Sequence, residues 1–183
     1  MPELVRESFR DCQIILHCGD VEDPAVLTQL GRLAPTHAVS GNIHWTYASG
    51  IHDLDLPKHL SLTAGPHHLW MTHGHWNFGH TFVDKISVAA RSGARRLGVG
   101  VRNQTLQMVN ESIVDRINSF KPATANLVIF GHSHARHAQK LTGTFFFNPG
   151  AVVGADHNLA PRSIGKLRLF ESGRVEHEWI NLQ

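Results

Sequence analysis

The chain has 183 residues, of which 42% are hydrophobic and only 17% are charged. The hydrophobic fraction is large enough for one packed domain, and the low charge excludes a disordered, self-repelling chain. The net charge of +2 is too small to indicate a specific nucleic-acid partner, and no apolar run reaches the roughly 18–20 residues of a membrane span. The N-terminus lacks the apolar stretch of a secretory signal, and Cys12 and Cys18 are too close together for a disulfide framework. We therefore expect a cytoplasmic protein without membrane association.

Helix and strand signals alternate along the first part of the chain. They predict, in order, a helix over 3–10, a buried strand over 13–17, a helix after the Asp23-Pro24 pair, a short strand over 37–40 and a strand over 67–71. Residues 43–66 contain several glycines and prolines and are predicted to be irregular.

The second part begins with a long helical pattern over 82–120, which glycines at 98 and 100 divide into two helices. A continuous apolar strand follows over 127–130, and the rest of the chain predicts hairpins with turns at Thr142-Gly143 and Ser172-Gly173. Strands that alternate with helices and then follow one another indicate a layered α/β or α+β domain.

Histidine is the compositional anomaly, at 15 residues, and three of these follow predicted strands. Four strands end in a small residue and then a side chain that can bind metal: Gly19-Asp20, Gly41-Asn42, Thr72-His73 and Gly131-His132-Ser133-His134. Because ligands bind outside the carboxyl ends of strands in open α/β sheets, these ends are expected to converge. One carboxylate, one amide and three imidazoles suit Mn²⁺, Fe²⁺, Ni²⁺ or Zn²⁺ with positions left open to water.

The order of these motifs, followed by Asn148-Pro149-Gly150 and Pro161-Arg162, resembles the calcineurin-like metallophosphoesterase superfamily and its small YfcE-type phosphodiesterases. The resemblance implies a metallophosphatase-like four-layer αββα sandwich, N-terminally truncated, as one domain over 1–183 with a helical insertion at about 81–122. It also implies hydrolysis of phosphodiesters by attack of a metal-bound hydroxide on phosphorus, with Mn²⁺ as the first choice of ion. The implied metal ligands are Asp20, Asn42, His73, His132 and His134.

Three further residues receive roles from the same resemblance. His44 stands one position after the place where many superfamily members have a catalytic histidine near the leaving group, and His75 and Arg162 are expected to contact substrate. The arginines between 91 and 102 are read as a solvated helix face in preference to a phosphate-docking cap. A phosphate ester is the expected partner, and homo-oligomerisation is left open.

One departure from the family is serious. No D-x-H strand precedes Gly19-Asp20, so the first ion would keep only Asp20 and His134, while the second keeps Asp20, Asn42, His73 and His132. We expect one complete and one incomplete metal site, and truncation of the sequence is favoured over natural loss. The alternative function is a catalytically impaired scaffold that binds partner proteins, as the retromer subunit of this fold does. A metallo-β-lactamase fold is disfavoured, since neither histidine loop continues as H-x-H-x-D-H.

Overall fold

A computed structural model describes residues 1–42, 55–75, 104–153 and 160–182 of the chain. In chain order its helices and strands are α1 (Glu3–Phe9), β1 (Ile15–His17), α2 (Ala25–Gly31), β2 (Thr36–Ala38), β3 (His59–Ala64), β4 (His67–Thr72), α3 (Gln104–Phe120), β5 (Leu127–Phe130), β6 (His137–Leu141), β7 (Thr144–Asn148), β8 (Ser163–Leu169) and β9 (Val175–Asn181). None of these helices has the length and apolar character that crossing a bilayer requires.

The strands of the described ranges form three sheets. The largest has the order β3-β4-β5-β7-β6, in which the three central strands β4, β5 and β7 run parallel and the two edge strands pair antiparallel. β1 and β2 form a parallel pair, and β8 and β9 form an antiparallel hairpin. The mixed pairing confirms the predicted α/β class.

Helix α3 covers one face of the five-stranded sheet. Its buried residues Ile113, Val114 and Ile117 recur at the spacing of one helix face and pack against alternate strand residues, including Val128 and Phe146. The other strand residues point to the opposite face, because successive side chains of a strand alternate in direction. This alternation places the largest apolar cluster between α3 and the sheet.

The second face of the sheet packs against the two small sheets. Met71 and Ile129 lie in one cluster with Leu16 of β1 and with Leu167 of β8. Ile15, which points the other way from Leu16, packs against α2, and the buried Val5 of α1 packs with Ile164 of β8 and Ile180 of β9. The described residues therefore stack as α3, the five-stranded sheet, the two small sheets, and then α1 with α2, which is the expected αββα order.

The structure corrects one sequence-based expectation. Residues 59–64, within the stretch that was predicted to be irregular, form strand β3 and pair with β4 across the turn at Gly65. The polar and apolar residues of this strand alternate, and its leucines are partly buried while the residues between them are exposed. The glycine and proline that suggested irregular structure mark the turn of a hairpin instead.

Candidate metal centre

The predicted motif residues follow strands that end at one edge of the two packed layers. Parallel pairing aligns the ends of β1 and β2, and it also aligns Thr72 of β4 with Phe130 of β5. The residues that follow β4 and β5 are also hydrogen-bonded to each other, since the Gly131 amide donates to the His73 carbonyl at 3.1 Å. Residues from four separate parts of the sequence thus reach the same place, as parallel strand ends predict.

Two glycines permit this close approach. Gly19 has φ +100°, and a Cβ there would lie 2.6 Å from Nδ1 of His73. A Cβ on Gly41 would collide with the backbone and carboxylate of Asp20. Any larger residue at either position would therefore push the strand ends apart.

Four of the five predicted ligands form a connected cluster. Nε2 of His73 lies 2.8 Å from Oδ1 of Asn42, 3.3 Å from Nδ1 of His132 and 3.4 Å from Oδ2 of Asp20. Nδ1 of His132 lies 3.2 Å from the same Asn42 oxygen. The neighbouring ligand atoms of one ion with bonds of about 2.1 Å are about 3.0–3.4 Å apart in octahedral or tetrahedral geometry, so the spacing fits a shared cation.

The protonation of His73 supports the same interpretation. Its Nδ1 lies 2.6 Å from the carbonyl oxygen of Cys18, which can only accept a hydrogen bond, so Nδ1 is the donor. Burial lowers the pKa of His73 to about 3 even though the Asp20 carboxylate opposes this shift, and the ring is therefore neutral. Its Nε2 then presents a lone pair to the oxygens of Asn42 and Asp20, an arrangement that a cation between them would stabilise.

The amide of Asn42 is also a member of the cluster. Among the described residues, no group of three or more His, Cys, Asp and Glu side chains that could hold a metal ion is found. Asn42 is buried and its oxygen lies within 3.2 Å of both His73 and His132, so it joins the two imidazoles. Oxygen and imidazole ligands together suit borderline divalent ions.

The fifth predicted ligand, His134, lies farther out. Its Nε2 is 3.9 Å from Oδ2 of Asp20, and its side chain is 31% exposed, against 3% for His73. The Asp20 carboxylate thus stands between the buried cluster and His134.

Three of the motif residues adopt left-handed backbone conformations without being glycine. The φ angles are 56° for Asp20, 68° for His132 and 57° for His134. Such residues each cost on the order of 1–3 kcal/mol and concentrate at functional sites, because the surrounding structure must hold them there.

A buried polar network beneath the histidine loop supplies this support. The Oδ1 atom of Asn110 accepts hydrogen bonds from Ser133 at 2.7 Å and from Asn148 at 3.3 Å, while its Nδ2 donates to the Ala135 carbonyl at 3.2 Å. Asn148 also donates to the Gly131 carbonyl at 3.0 Å. Asn110 and Asn148 are fully buried, and together these bonds fix both ends of the histidine loop.

Sequence analysis missed Asn110. The residue lies on the buried stripe of α3, since positions 110, 113, 114 and 117 share one helix face. An asparagine in an otherwise apolar stripe is a signal that could have identified it, because a buried amide needs hydrogen-bond partners.

The remaining predicted residues have different locations. The His75 ring centroid is 5.2 Å from that of His73, and its Nδ1 is buried without a hydrogen-bond partner among the described residues. Arg162 is exposed, and its carbonyl accepts a hydrogen bond from the Leu182 amide at 2.9 Å. His44 and the arginines between 91 and 102 lie outside the described residues.

Comparisons with curated proteins identify metallophosphoesterases. The chain is 23% identical over 142 residues to the probable metallophosphoesterase YsnB of Bacillus subtilis, a match that covers 78% of this chain and 60% of that protein. It is 47% identical over 47 residues to a probable metallophosphoesterase of Methanothermobacter thermautotrophicus, covering 26% of this chain and 27% of that protein. The matches therefore span less than two thirds of these relatives.

Solved structures share the fold over nearly the whole chain. Vps29 of Entamoeba histolytica, in a zinc complex, is 18% identical with a TM-score of 0.58 and covers 99% of this chain and 89% of its own. A novel archaeal phosphodiesterase is 18% identical with a TM-score of 0.57, covering 97% and 90%. The model of the calcineurin-like phosphoesterase superfamily domain matches residues 1–168. With the strand-end motifs in the order that this family uses, the chain belongs to the calcineurin-like phosphoesterase superfamily.

Proposed function

We propose that the chain is a metal-dependent phosphodiesterase. The observation that carries the proposal is the buried imidazole of His73, whose Nε2 lies within 3.4 Å of Asn42, His132 and Asp20. Family membership supports phosphoester hydrolysis, and the mixed oxygen and nitrogen donor set supports a divalent ion such as Mn²⁺.

Each ligand has a distinct task in this proposal. Asn42, His73 and His132 would hold one ion with Asp20, and the same carboxylate, whose Oδ2 is the oxygen paired with both His73 and His134, would serve an ion on the side of His134. Divalent ions in such a site lower the pKa of a bound water and neutralise charge on phosphoryl oxygens.

The Cys18 carbonyl keeps His73 in the tautomer that leaves Nε2 free to bind an ion, as partners of metal-ligating histidines commonly do. His75 lies beside this cluster with a buried, unsatisfied Nδ1 among the described residues, and we assign it to substrate contact. Arg162 would contact a phosphoryl oxygen through its exposed guanidinium.

The test is hydrolysis of bis-p-nitrophenyl phosphate with and without Mn²⁺, with the metal content of the protein measured in parallel. Asp20→Ala is expected to lower kcat/KM by about 1000-fold or more and to reduce the amount of bound metal, because this carboxylate would contact ions on the sides of both His73 and His134. Asp115→Ala, at an exposed position of α3, is the matched control and should behave as the wild type. Activity without added metal after chelation, or activity that survives Asp20→Ala, would contradict the proposal.

A second candidate, a phosphoesterase-fold scaffold that binds partner proteins, is favoured by the longer distance between His134 and Asp20. Nε2 of His134 lies 3.9 Å from Oδ2 of Asp20, whereas Nε2 of His73 lies 3.4 Å from the same oxygen. If the chain is a scaffold, we expect at most one bound ion per chain and no hydrolysis of any phosphodiester. If it is an enzyme, we expect hydrolysis that depends on added metal.

A further inference from the structure

Arg136 lies at the junction of three segments next to the histidine loop. It stands between His134 and the start of β6, and its Nη2 donates a hydrogen bond to the Oδ1 atom of Asn181 at the end of β9. The position that a Cβ would take on Gly150 is 3.5 Å from the Cγ atom of Arg136, so the arginine stem packs against the loop after β7. The guanidinium is thus held by β9 and the loop after β7, two residues beyond His134 in the chain.

The charge of this guanidinium is not balanced by a carboxylate among the described residues. Its Nε is buried there without a hydrogen-bond partner, and Asn181 offers only a neutral amide oxygen. Four other cations of the described residues have acidic partners: Arg6 with Glu3, Lys166 with Asp11, and Arg168 and Arg174 with Glu176. A partly buried cation without an anion is unfavourable, which identifies this position as one that an anion would stabilise.

A guanidinium is well suited to bind such an anion. Its planar pairs of N–H donors match the oxygens of a phosphate.

We propose that Arg136 binds a second, uncleaved phosphate of the substrate. The inference rests on the proposed phosphodiesterase function and makes its substrate a phosphodiester that carries a further phosphate, as nucleotide derivatives do. Because Arg136 follows His134 by only two residues, a phosphate that it binds would lie next to the phosphate at the proposed metal centre, and Arg136 itself is not one of the proposed ion ligands.

The test measures binding of thymidine 3′,5′-bisphosphate and thymidine 5′-monophosphate by calorimetry in the presence of EDTA. The wild type is expected to bind the bisphosphate at least about tenfold more tightly than the monophosphate, because charge-assisted hydrogen bonds to phosphate are strong. Arg136→Gln should remove this preference. Arg136→Lys should retain part of it, because the lysine ammonium keeps the positive charge but lacks the planar pair of N–H donors. Arg168→Gln removes one exposed arginine elsewhere on the surface and should keep the wild-type preference.

Thermal unfolding of each variant establishes that it is folded before binding is compared. A wild type that binds the two nucleotides equally, or a folded Arg136→Gln variant that keeps the full preference, would overturn the inference. Hydrolysis of thymidine 5′-(p-nitrophenyl phosphate) with and without a 3′-phosphate separates the two proposals. No hydrolysis with a retained binding preference contradicts the enzyme and supports the anion site. Hydrolysis without any preference supports the enzyme and contradicts the anion site.

Discussion

The two histidines of one loop stand in different surroundings. Nδ1 of His132 lies within 3.3 Å of both Asn42 and His73, whereas Nε2 of His134 is 3.9 Å from Asp20. We call these the inner half and the outer half of the site.

The two halves are therefore unequally prepared for an ion. In the inner half, packing of two sheets brings the proposed ligand atoms to separations of 2.8–3.4 Å, so the proposed ion would need little rearrangement on binding. In the outer half, the separation between His134 and the shared Asp20 is 3.9 Å. Pairs of variants can test this contrast.

The largest expected difference is in ion affinity. His73→Gln should weaken binding of the first Mn²⁺ by about 100-fold or more, since it removes the atom that faces three other ligands. His134→Gln should weaken it by less than about tenfold, because its ring lies outside the inner half. Calorimetric titration of the metal-free proteins measures both values. Equal losses in the two variants would show that the halves do not act separately.

The next prediction concerns the support that both halves share. Asn110→Ala should lower the free energy of unfolding by about 1–3 kcal/mol, because Ser133, Asn148 and the Ala135 carbonyl each lose a buried partner. It should also weaken ion binding through both His132 and His134.

The matched control for this variant is Asn118→Ala on the same helix. Its Oδ1 accepts an exposed hydrogen bond from Thr142, and its loss should change the free energy of unfolding by less than about 0.5 kcal/mol. Urea unfolding and metal titration measure the two effects. If Asn110→Ala lowers stability but leaves ion affinity intact, the network supports the core and not the loop.

The smallest effect expected is a gain in stability in the outer half. His134→Gly should raise the free energy of unfolding of the metal-free protein by about 1 kcal/mol, since glycine adopts a φ of 57° without the Cβ penalty. His132→Gly relieves similar strain at φ 68° but also removes contacts with Asn42 and His73, so its net change should be near zero or negative. Urea unfolding in EDTA measures the free energy of unfolding of both variants. A larger stabilisation by His132→Gly than by His134→Gly would contradict the proposal that the contacts of His132 stabilise the metal-free protein more than those of His134.

Local patterns predicted much of the framework. The apolar run over 127–130, the stripe of α3 and the turns at Thr142-Gly143 and Ser172-Gly173 are confirmed by the structure. Strand β3 was missed, because its turn residues were read as breakers of regular structure and not as the end of a hairpin. The metal-ligating roles assigned to Asp20 and the motif histidines stay predictions, although four of the five predicted side chains are now seen to lie together.

The amino-acid sequence was enough to show which side chains follow the ends of strands, because hydrophobic periodicity and glycine breakers act over a few neighbouring residues. The packed structure was needed to show that Asn42 contacts His73, that Asn110 supports the histidine loop, and that Arg136 binds Asn181 while its Nε has no partner among the described residues. These contacts join residues 23 to 45 positions apart in the chain, and they arise from the way two sheets and α3 pack, which no local pattern specifies.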